Sequence, residues 1–230
     1  MDTALFDLLR RVDTPTVCNA IEVAQGQRGF ANFTRGTMFA SAPKGPAMVG
    51  YARTARIRAV LPPDEPADVI RARRMGYYKY MSEGPRPAVA VVEDADFPNC
   101  IGAYWGEINT NIHRAFGLNG ALTNSVMRDL GDMADGFQVV AGSVGPSHGF
   151  VHVLDYNAPV QVMGMAVAPG ALVHADRHGA VVVPDDVIPA LADAIERLLK
   201  TERIVLDACT RPLDFEQFEK VWAAFEAART

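Results

Sequence analysis

The chain has 230 residues, which is enough for one large domain or two small ones with a buried core. Its hydrophobic share of 49% and charged share of 21% match those of globular proteins and argue against disordered, collagen-like and coiled-coil classes. The formal net charge of −5 argues against a nucleic-acid partner, because proteins that neutralise phosphates usually carry a basic excess.

The cysteines and the hydropathy pattern predict a cytoplasmic protein without a membrane span. Cys18, Cys100 and Cys209 are odd in number and form no CxxC pair, which favours a reducing compartment. The first residues lack the basic-then-apolar order of a secretory signal. No apolar run reaches the roughly 18 residues of a membrane span, because acidic side chains interrupt the most hydrophobic region at residues 93–96.

The N-terminal segments predict two helices. The apolar spacing of residues 3–11 is typical of one helical face. Thr14 and Pro15 match an N-cap followed by proline at the first helical position, where its missing N–H costs nothing. We therefore expect a second helix that ends near Ala24.

Residues 48–60 alternate apolar and polar side chains and predict a half-buried strand. Its polar face carries Arg53, Arg56 and Arg58. We interpret these arginines as a solvated strand face, with contact to an anion or to another subunit as the alternative.

Helices and strands alternate through the middle of the chain. Residues 64–81 predict a helix, and the apolar run 88–92 predicts a strand covered on both faces, as in α/β folds. Residues 101–116 predict a further helix and residues 121–123 a further strand. The apolar side of the predicted helix over residues 64–81 is expected to carry Val69, Ile70, Met75 and Tyr78.

After Asp129 the pattern changes to short β-rich segments separated by Gly, Pro, Asn or Asp, which suggests a sandwich or barrel-like layer. These segments are 137–140, 150–154, 160–162, 166–167, 172–175 and 180–183.

Two helices, roughly residues 186–201 and 214–228, are predicted at the C-terminus. The second has apolar residues at intervals of three and four, a stripe that we interpret as core or subunit packing rather than as a ligand site. The predicted organisation is one domain, residues 1–185, followed by C-terminal helices, residues 186–230, that pack on it or on a neighbouring subunit. The stripe consists of Phe215, Phe218, Val221, Trp222 and Phe225.

The richest polar stretch lies between residues 105 and 132. If Gly106 and Glu107 open a turn onto a helix, the free backbone N–H groups of Ile108 and Asn109 form an anion site. A substrate carboxylate would bind there.

Arg128 and Asp129 stand side by side after Glu107 and twenty intervening residues, and a strand-to-loop return would bring them toward that helix start. Arginine can bind a carboxylate or an enolate oxygen through two parallel hydrogen bonds, and aspartate offers a hard oxygen ligand to Mg²⁺ or Mn²⁺. Such a pair in isolation is more often a surface ion pair. Asp132, three residues on, offers an outer carboxylate or lies in a solvated loop.

The surrounding motifs resemble one family across roughly residues 9–184. They are the acidic-X20-Arg-Asp pattern, the GPSH segment at 145–148 and a V-x-P-G-x4-A-D-x2-G-x4-P block at 167–184. The family is that of the regulator of ribonuclease E activity A (RraA) and the 4-hydroxy-4-methyl-2-oxoglutarate/4-carboxy-4-hydroxy-2-oxoadipate aldolases, which are class II pyruvate aldolases.

The resemblance implies an α/β fold of the swivelling β/β/α type, with a C-terminal helical extension. It implies a divalent-metal-dependent lyase that cleaves a 4-hydroxy-2-oxo acid to pyruvate and a second carbonyl product, with oxaloacetate decarboxylation as a related activity. Active sites would lie at the subunit interfaces of a homotrimer or homohexamer. The alternatives are a non-catalytic protein that inhibits a ribonuclease and a metal-enolate enzyme acting on an unrelated acid. The ribonuclease regulators lack part of the acidic-X20-Arg-Asp motif, so its presence here favours the enzyme.

The resemblance also implies roles for single residues. Asp129 would hold Mg²⁺ or Mn²⁺, with Glu107 and Asp132 acting through water, and Arg128 would stabilise the pyruvate enolate. Glu107 and Arg128 are thus the predicted catalytic residues. The predicted substrate-binding residues are Gly106, Ile108, Asn109 and Arg128.

Two features leave alternatives open. Asn124-Ser125 replaces the Asp-Gly of many members, so local turn geometry or a contact near the site would differ. His148 and His152, like His174 and His178, are four residues apart; we favour structural roles over a substrate contact or a zinc site.

His113 follows Glu107 on the predicted helix. We interpret it as a surface residue rather than one that faces the cleft.

Overall fold

The computed structural model describes residues 2–229 and, at Arg229, the backbone only. The chain forms two compact units: residues 2–14 with 31–185, and residues 15–30 with 186–229.

The first unit contains eleven strands and three of the helices among the described residues. The strands are β1 (Phe39–Ala40), β2 (Met48–Arg58), β3 (Ala88–Asp94), β4 (Ala103–Trp105), β5 (Leu118–Met127), β6 (Gln138–Val144), β7 (His152–Tyr156), β8 (Val160–Val162), β9 (Met165–Val167), β10 (Leu172–Asp176) and β11 (Gly179–Val183). The helices in chain order are α1 (Thr3–Leu9), α2 (Thr14–Gln25), α3 (Ala67–Ser82), α4 (Glu107–Ala115), α5 (Ile188–Ala208) and α6 (Phe215–Arg229), of which α2, α5 and α6 belong to the second unit.

Nine strands form one mixed sheet in the order β1-β6-β5-β3-β2-β10-β11, with β4 paired to β5 and β7 paired to β2. The strands β2, β3, β5 and β6 run parallel, and β4 runs parallel to β5. The strands β8 and β9 form a separate hairpin. The α/β class is confirmed, and the predicted helices and strands of this unit are present apart from the segment described next; the short strand β1 was not predicted.

The predicted helix over residues 101–116 is wrong in its first part. Ala103–Trp105 forms β4, and the helix α4 begins only at Glu107. The three residues of β4 are buried, and their pairing with β5 satisfies the backbone groups that a helix would otherwise satisfy. A distant strand therefore decides the structure of this short segment.

Both faces of β3 are covered, as its apolar run predicts. Val89 and Val91 belong to one hydrophobic cluster. Ala88, Ala90 and Val92 belong to a second cluster on the other face.

The buried face of α3 differs from the predicted one. Tyr77, Tyr80 and Met81 are buried against the second cluster, whereas Val69 and Met75 are about two-fifths exposed. The aromatic rings bury more apolar area than the aliphatic side chains, so they determine which face of the helix contacts the sheet.

The interpretation of the β2 arginines as a solvated face is only partly right, because Arg56 and Arg58 keep nearly half of their side-chain surface exposed but all three have partners. Arg53 lies over the ring of Tyr80, 3.6 Å from its centroid, and Arg56 is paired with Asp155 on β7. Arg58 Nε lies 3.2 Å from an oxygen of Asp96. Each of the three cations therefore has a partner inside the unit, on α3, on β7 or just after β3.

In the second unit, α5 buries Leu191, Ile195 and Leu198. The aromatic side chains of the α6 stripe contact one another in succession along the helix, and the ring centroids of Phe218 and Trp222 are 5.7 Å apart. Phe218 and Trp222 remain about two-fifths exposed.

Across residues 2–229, none of the helices combines the length and the apolar character needed to cross a membrane.

Candidate active site

The site is built where two parallel strands end at the same edge of the sheet. Trp105, the last residue of β4, is paired with Met127, the last residue of β5. The residues that follow them, Gly106 and Arg128, therefore lie side by side, and the Arg128 N–H donates to the Trp105 carbonyl over 2.9 Å. This register explains why Gly106 and Arg128, which are distant in sequence, come together.

Gly106 is the N-cap of α4 and has an extended backbone. A Cβ at this position would lie 2.5 Å from Oδ2 of Asp129 and 3.1 Å from Cγ of Arg128. Only glycine lets the helix start approach the Arg128-Asp129 pair this closely.

The Asp129 carboxylate caps α4. Its Oδ2 accepts a hydrogen bond of 3.0 Å from the Glu107 N–H, and the Asp129 backbone has φ of 56°. Aspartate tolerates this left-handed conformation better than most residues, since its short polar side chain bonds locally. A negative charge at a helix N-terminus is also favoured by the helix dipole. The candidate metal ligand is thus fixed by the helix that it caps.

The Arg128 guanidinium has no hydrogen-bond partner within the part of the chain that the structure describes, and its Nε is buried and unpaired. Nε lies 3.7 Å from Oδ2 of Asp129, which is an ion-pair distance and too long for a hydrogen bond. About one third of the side chain is exposed. Its donors are therefore available to a ligand.

The first turn of α4 offers further donors. The Thr110 N–H makes the first helical bond, to the Gly106 carbonyl over 3.0 Å, so the amides of Ile108 and Asn109 precede any intrahelical acceptor. The Glu107 N–H is already used by Asp129. The predicted anion site at Ile108 and Asn109 therefore keeps its two donors.

The carboxylates of Glu107 and Asp132 are exposed. The Asp132 N–H donates to the Asp129 carbonyl over 3.0 Å, which places Asp132 on the same turn as Asp129. Within residues 2–229, no group of three His, Cys, Asp or Glu side chains is placed to enclose a metal ion. Any ion here would have few protein ligands.

A cavity of about 540 Å³ opens beside the helix start. Arg128, Ile108 and Asn109 line it, whereas Glu107 and Asp129 lie outside its lining. Its ionisable cationic side chains come from four different segments, and no Asp or Glu is among its described lining residues. The cations and potential cations are Arg74, Arg128, His148 and His152.

A buried hydrogen-bond network supports the first turn of α4 from below. His113 Nδ1 lies 2.6 Å from the Asn109 carbonyl and must donate to it, so Nε2 accepts from the Tyr77 hydroxyl, also at 2.6 Å. Burial lowers the pKa of His113 to about 4, and the ring is neutral. The prediction of a surface histidine is wrong, because α4 turns this side chain toward the aromatic core.

Asn109 is held by its side chain as well. Its Oδ1 accepts from the Tyr78 hydroxyl over 2.9 Å, and its Nδ2 donates to the Tyr104 carbonyl over 2.6 Å. The orientation of the Asn109 amide N–H is therefore fixed by both α3 and β4.

A family model for RraA-like proteins, described as Aldolase/RraA, matches residues 14–182. The chain belongs to the RraA-like family. This confirms the family resemblance found in the sequence; the match covers the aldolases and the RraA proteins together.

Solved structures share the RraA-like fold. An uncharacterised protein of Pseudomonas syringae pv. tomato has 21% identity and a TM-score of 0.68, over 94% of this chain and 93% of that one. Streptomyces coelicolor RraAS2, described as an unusual member of the RNase ES inhibitor RraA family, has 23% identity and a TM-score of 0.64, over 92% of this chain and 98% of that one. At these identities the likeness shows the fold. No curated protein matches the sequence.

The two histidine pairs of this RraA-like chain separate in space. His148 and His152 line the cavity. His174 is buried, and burial lowers its pKa; its Nε2 donates to the Leu9 carbonyl over 2.9 Å. His178 lies 3.2 Å from the Asp176 carboxylate. The second pair therefore has partners within its own unit.

Asn124 and Ser125 contact a buried acid, Asp94. The Asp94 N–H donates to Oδ1 of Asn124 over 2.7 Å, and Oγ of Ser125 lies 2.6 Å from Oδ2 of Asp94. Asp94 is 1% exposed. The pair thus joins the ends of β3 and β5 behind the site and does not enter the cavity lining.

Sequence reasoning missed Arg74, Tyr78 and Tyr104 as lining residues. The signal for two of them was present, since Ile70, Arg74 and Tyr78 repeat at intervals of four and share one face of α3. Nothing in the sequence indicated that this face meets the α4 start.

Proposed function

We propose that this RraA-like protein is a divalent-metal-dependent lyase that cleaves a 4-hydroxy-2-oxo acid to pyruvate and a second carbonyl compound. The observation that supports this function is the Arg128 guanidinium, which has an ion-pair contact to Asp129 but no hydrogen-bond partner among the described residues, beside the free amides of α4 and with the Asp129 carboxylate fixed at the same helix start. Together they provide cationic donors for an oxo-acid anion and an oxygen ligand for a cation.

The chain's own residues bind and orient the substrate. The Ile108 and Asn109 amides would take the pyruvyl carboxylate, and the Arg128 guanidinium would donate to the oxygen that becomes negative as the carbon–carbon bond breaks. Fixed donors aimed at developing charge typically contribute about 10²–10³-fold in rate. Oxaloacetate decarboxylation passes through the same enolate, so we propose it as a related activity.

The donor set suits a hard divalent ion that keeps most of its water. Asp129 would hold Mg²⁺ or Mn²⁺, with Glu107 and Asp132 contacting bound waters, since Mg²⁺ commonly takes only one or two protein carboxylates. When bound, the ion would supply Lewis-acid stabilisation of the enolate oxygen.

A Schiff-base mechanism has no support in the cavity, because lysine is not among its described lining residues. Lys79 is paired with Glu83, and Lys220 is paired with Glu216. We therefore infer a metal-enolate mechanism in place of a lysine-dependent one.

We further propose that the protein works as a homotrimer or homohexamer in the cytoplasm. Ile108 is 71% exposed and Phe150 is 55% exposed, and both line the cavity. A neighbouring subunit would cover these side chains and complete the site. Within residues 2–229, Cys18, Cys100 and Cys209 form no disulfide with one another, which agrees with a reducing compartment.

The test is pyruvate release from a panel of 4-hydroxy-2-oxo acids and oxaloacetate, with Mg²⁺, with Mn²⁺ and with EDTA. Arg128→Ala should abolish turnover, whereas Arg71→Ala, an exposed arginine on α3, should have no effect. If no substrate gives metal-dependent pyruvate, the lyase proposal is wrong. Inhibition of a ribonuclease by the same preparation would then support the non-catalytic alternative. Turnover of an unrelated acid would support the other alternative, a metal-enolate enzyme with a different substrate.

A further inference from the structure

A second cationic side chain lies in the same cavity as Arg128. Ile70, Arg74 and Tyr78 stand at successive intervals of four on α3, and all three line the cavity. Arg128 and Asn109 line it from the α4 side. The cavity thus has one arginine from the α4–β5 edge and another from α3.

Arg74 has no ion pair or hydrogen bond within residues 2–229, and its side chain is exposed to the cavity mouth. Its neighbour Arg73 differs, because Nη1 of Arg73 is 2.7 Å from the Glu65 carboxylate. Burial raises the pKa of both Tyr78 and Tyr104, and the positive charge of Arg74 opposes the increase in each. The positive charge of Arg74 is therefore close enough to influence the hydroxyls of Tyr78 and Tyr104, which border the start of α4.

The charge of the lining is one-sided. Two arginines, Arg74 and Arg128, contribute positive charge to it, and its described residues include no carboxylate. A substrate with a single carboxylate would use the Ile108 and Asn109 amides and Arg128, which leaves Arg74 without a counter-charge. A substrate with a second anionic group would pair with both cations.

We propose that Arg74 is a specificity-determining residue that binds a second, distal carboxylate and so selects dianionic oxo acids over monoanionic ones. The inference rests on the proposed lyase function for its substrate, but the charge complementarity holds for any oxo-acid ligand of this cavity. Arg74 acts on binding rather than on bond cleavage, so its effect belongs in KM more than in kcat.

The experiment compares kcat/KM for 4-hydroxy-2-oxoglutarate and for 4-hydroxy-2-oxopentanoate in the wild-type protein, in Arg74→Gln and in the control Arg71→Gln. A charge-assisted bond is worth roughly a tenfold to hundredfold change in affinity, and Arg74→Gln should lose that factor on the dianion. On the monoanion the change should stay below about threefold, and Arg71→Gln should resemble the wild type on both. Equal losses on the two substrates, or an equal loss in Arg71→Gln, would overturn the assignment.

Calorimetric binding of 2-oxoglutarate and 2-oxobutyrate separates this inference from the lyase proposal. If the wild type turns over neither substrate but binds 2-oxoglutarate more tightly, and Arg74→Gln removes that preference, the lyase function fails and the role of Arg74 stands. If the wild type binds both analogues equally, or binds neither, the role of Arg74 is rejected whatever the turnover.

Discussion

The Glu107 N–H donates to Oδ2 of Asp129 over 3.0 Å, so the carboxylate proposed to hold the metal ion also caps the helix proposed to bind the substrate. Charge and hydrogen bonding at Asp129 can be separated by mutation. Asp129→Asn keeps an oxygen acceptor for the Glu107 N–H but removes the negative charge, whereas Asp129→Ala removes both.

We expect Asp129→Asn to retain the wild-type melting temperature within a few degrees and to lose metal-dependent pyruvate release. Asp129→Ala should lose the activity and in addition about 1 kcal/mol of unfolding free energy, the usual cost of a lost capping hydrogen bond at a helix N-terminus. Thermal unfolding by circular dichroism and the coupled pyruvate assay measure the two effects. Wild-type turnover in Asp129→Asn would remove Asp129 from the metal site.

Gly106→Ala should displace the Arg128-Asp129 pair. The added Cβ would fall 2.5 Å from Oδ2 of Asp129, and overpacking of this kind costs about 1–3 kcal/mol. We expect a large fall in kcat with a folded protein.

Gly131→Ala is the matched control for Gly106→Ala. It lies on the same loop as Asp129, has φ of 99° and would place its Cβ with nothing within 4 Å. Its cost is backbone strain alone, so it should lower the melting temperature without a comparable loss of kcat. Equal losses of kcat in both variants would show that the close approach at Gly106 is not what matters.

His113 should make the protein sensitive to acid. Burial lowers its pKa from 6.5 to about 4, so the unfolded chain takes up a proton near pH 6.5 and the folded chain does so only near pH 4. Stability is therefore present above about pH 6.5 and is lost as the pH falls toward 4, by roughly 3 kcal/mol from this group.

Urea unfolding at pH 7 and at pH 4.5 of the wild type and of His113→Gln measures this effect. The variant loses the hydrogen bonds to Tyr77 and Asn109, so its free energy of unfolding should be lower than that of the wild type at pH 7. Because it also lacks the titrating imidazole, the difference between the free energies of unfolding of the two proteins should narrow as the pH falls. A difference independent of pH would show that His113 titrates normally. The comparison cancels the contributions of Asp176 and His174, whose pKa values are also lowered.

Phe150→Ser should weaken the proposed oligomer. Phe150 is 55% exposed and lines the cavity, so a polar side chain there would oppose burial against a neighbouring subunit. Light scattering after gel filtration should give about three or six times 24.9 kDa for the wild type and a smaller mass for the variant. A monomeric wild type with full activity would reject the interface proposal.

Most helices and the central strands were predictable, because their apolar periodicity can be read from neighbouring residues. The proximity of Glu107 to Arg128 and Asp129 was predictable from the spacing of the motif that contains them. The β4 strand was not, since three residues acquire their structure from pairing with β5. The buried face of α3 was also missed, because tyrosines and aliphatic residues mark different sides of the helix and only the tertiary contacts decide between them.

Arg74 illustrates a further limit. Its spacing from Ile70 and Tyr78 is visible in the sequence, but the sequence does not show that this arginine on α3 lines the same cavity as Arg128. Residues that contact the distal end of a ligand come from elements that are distant in the chain. Their proximity depends on tertiary contacts, which periodicity in a single sequence does not predict.

The hydrogen bonds between Asp94 and the Asn124-Ser125 pair mean that these three positions cannot vary independently. Placing Asp-Gly at 124 and 125 would remove the Nδ2 donor to the Asp94 carbonyl and the hydroxyl beside its carboxylate, and would set two acids against each other in the interior. Such a change would therefore require a simultaneous neutral replacement at Asp94.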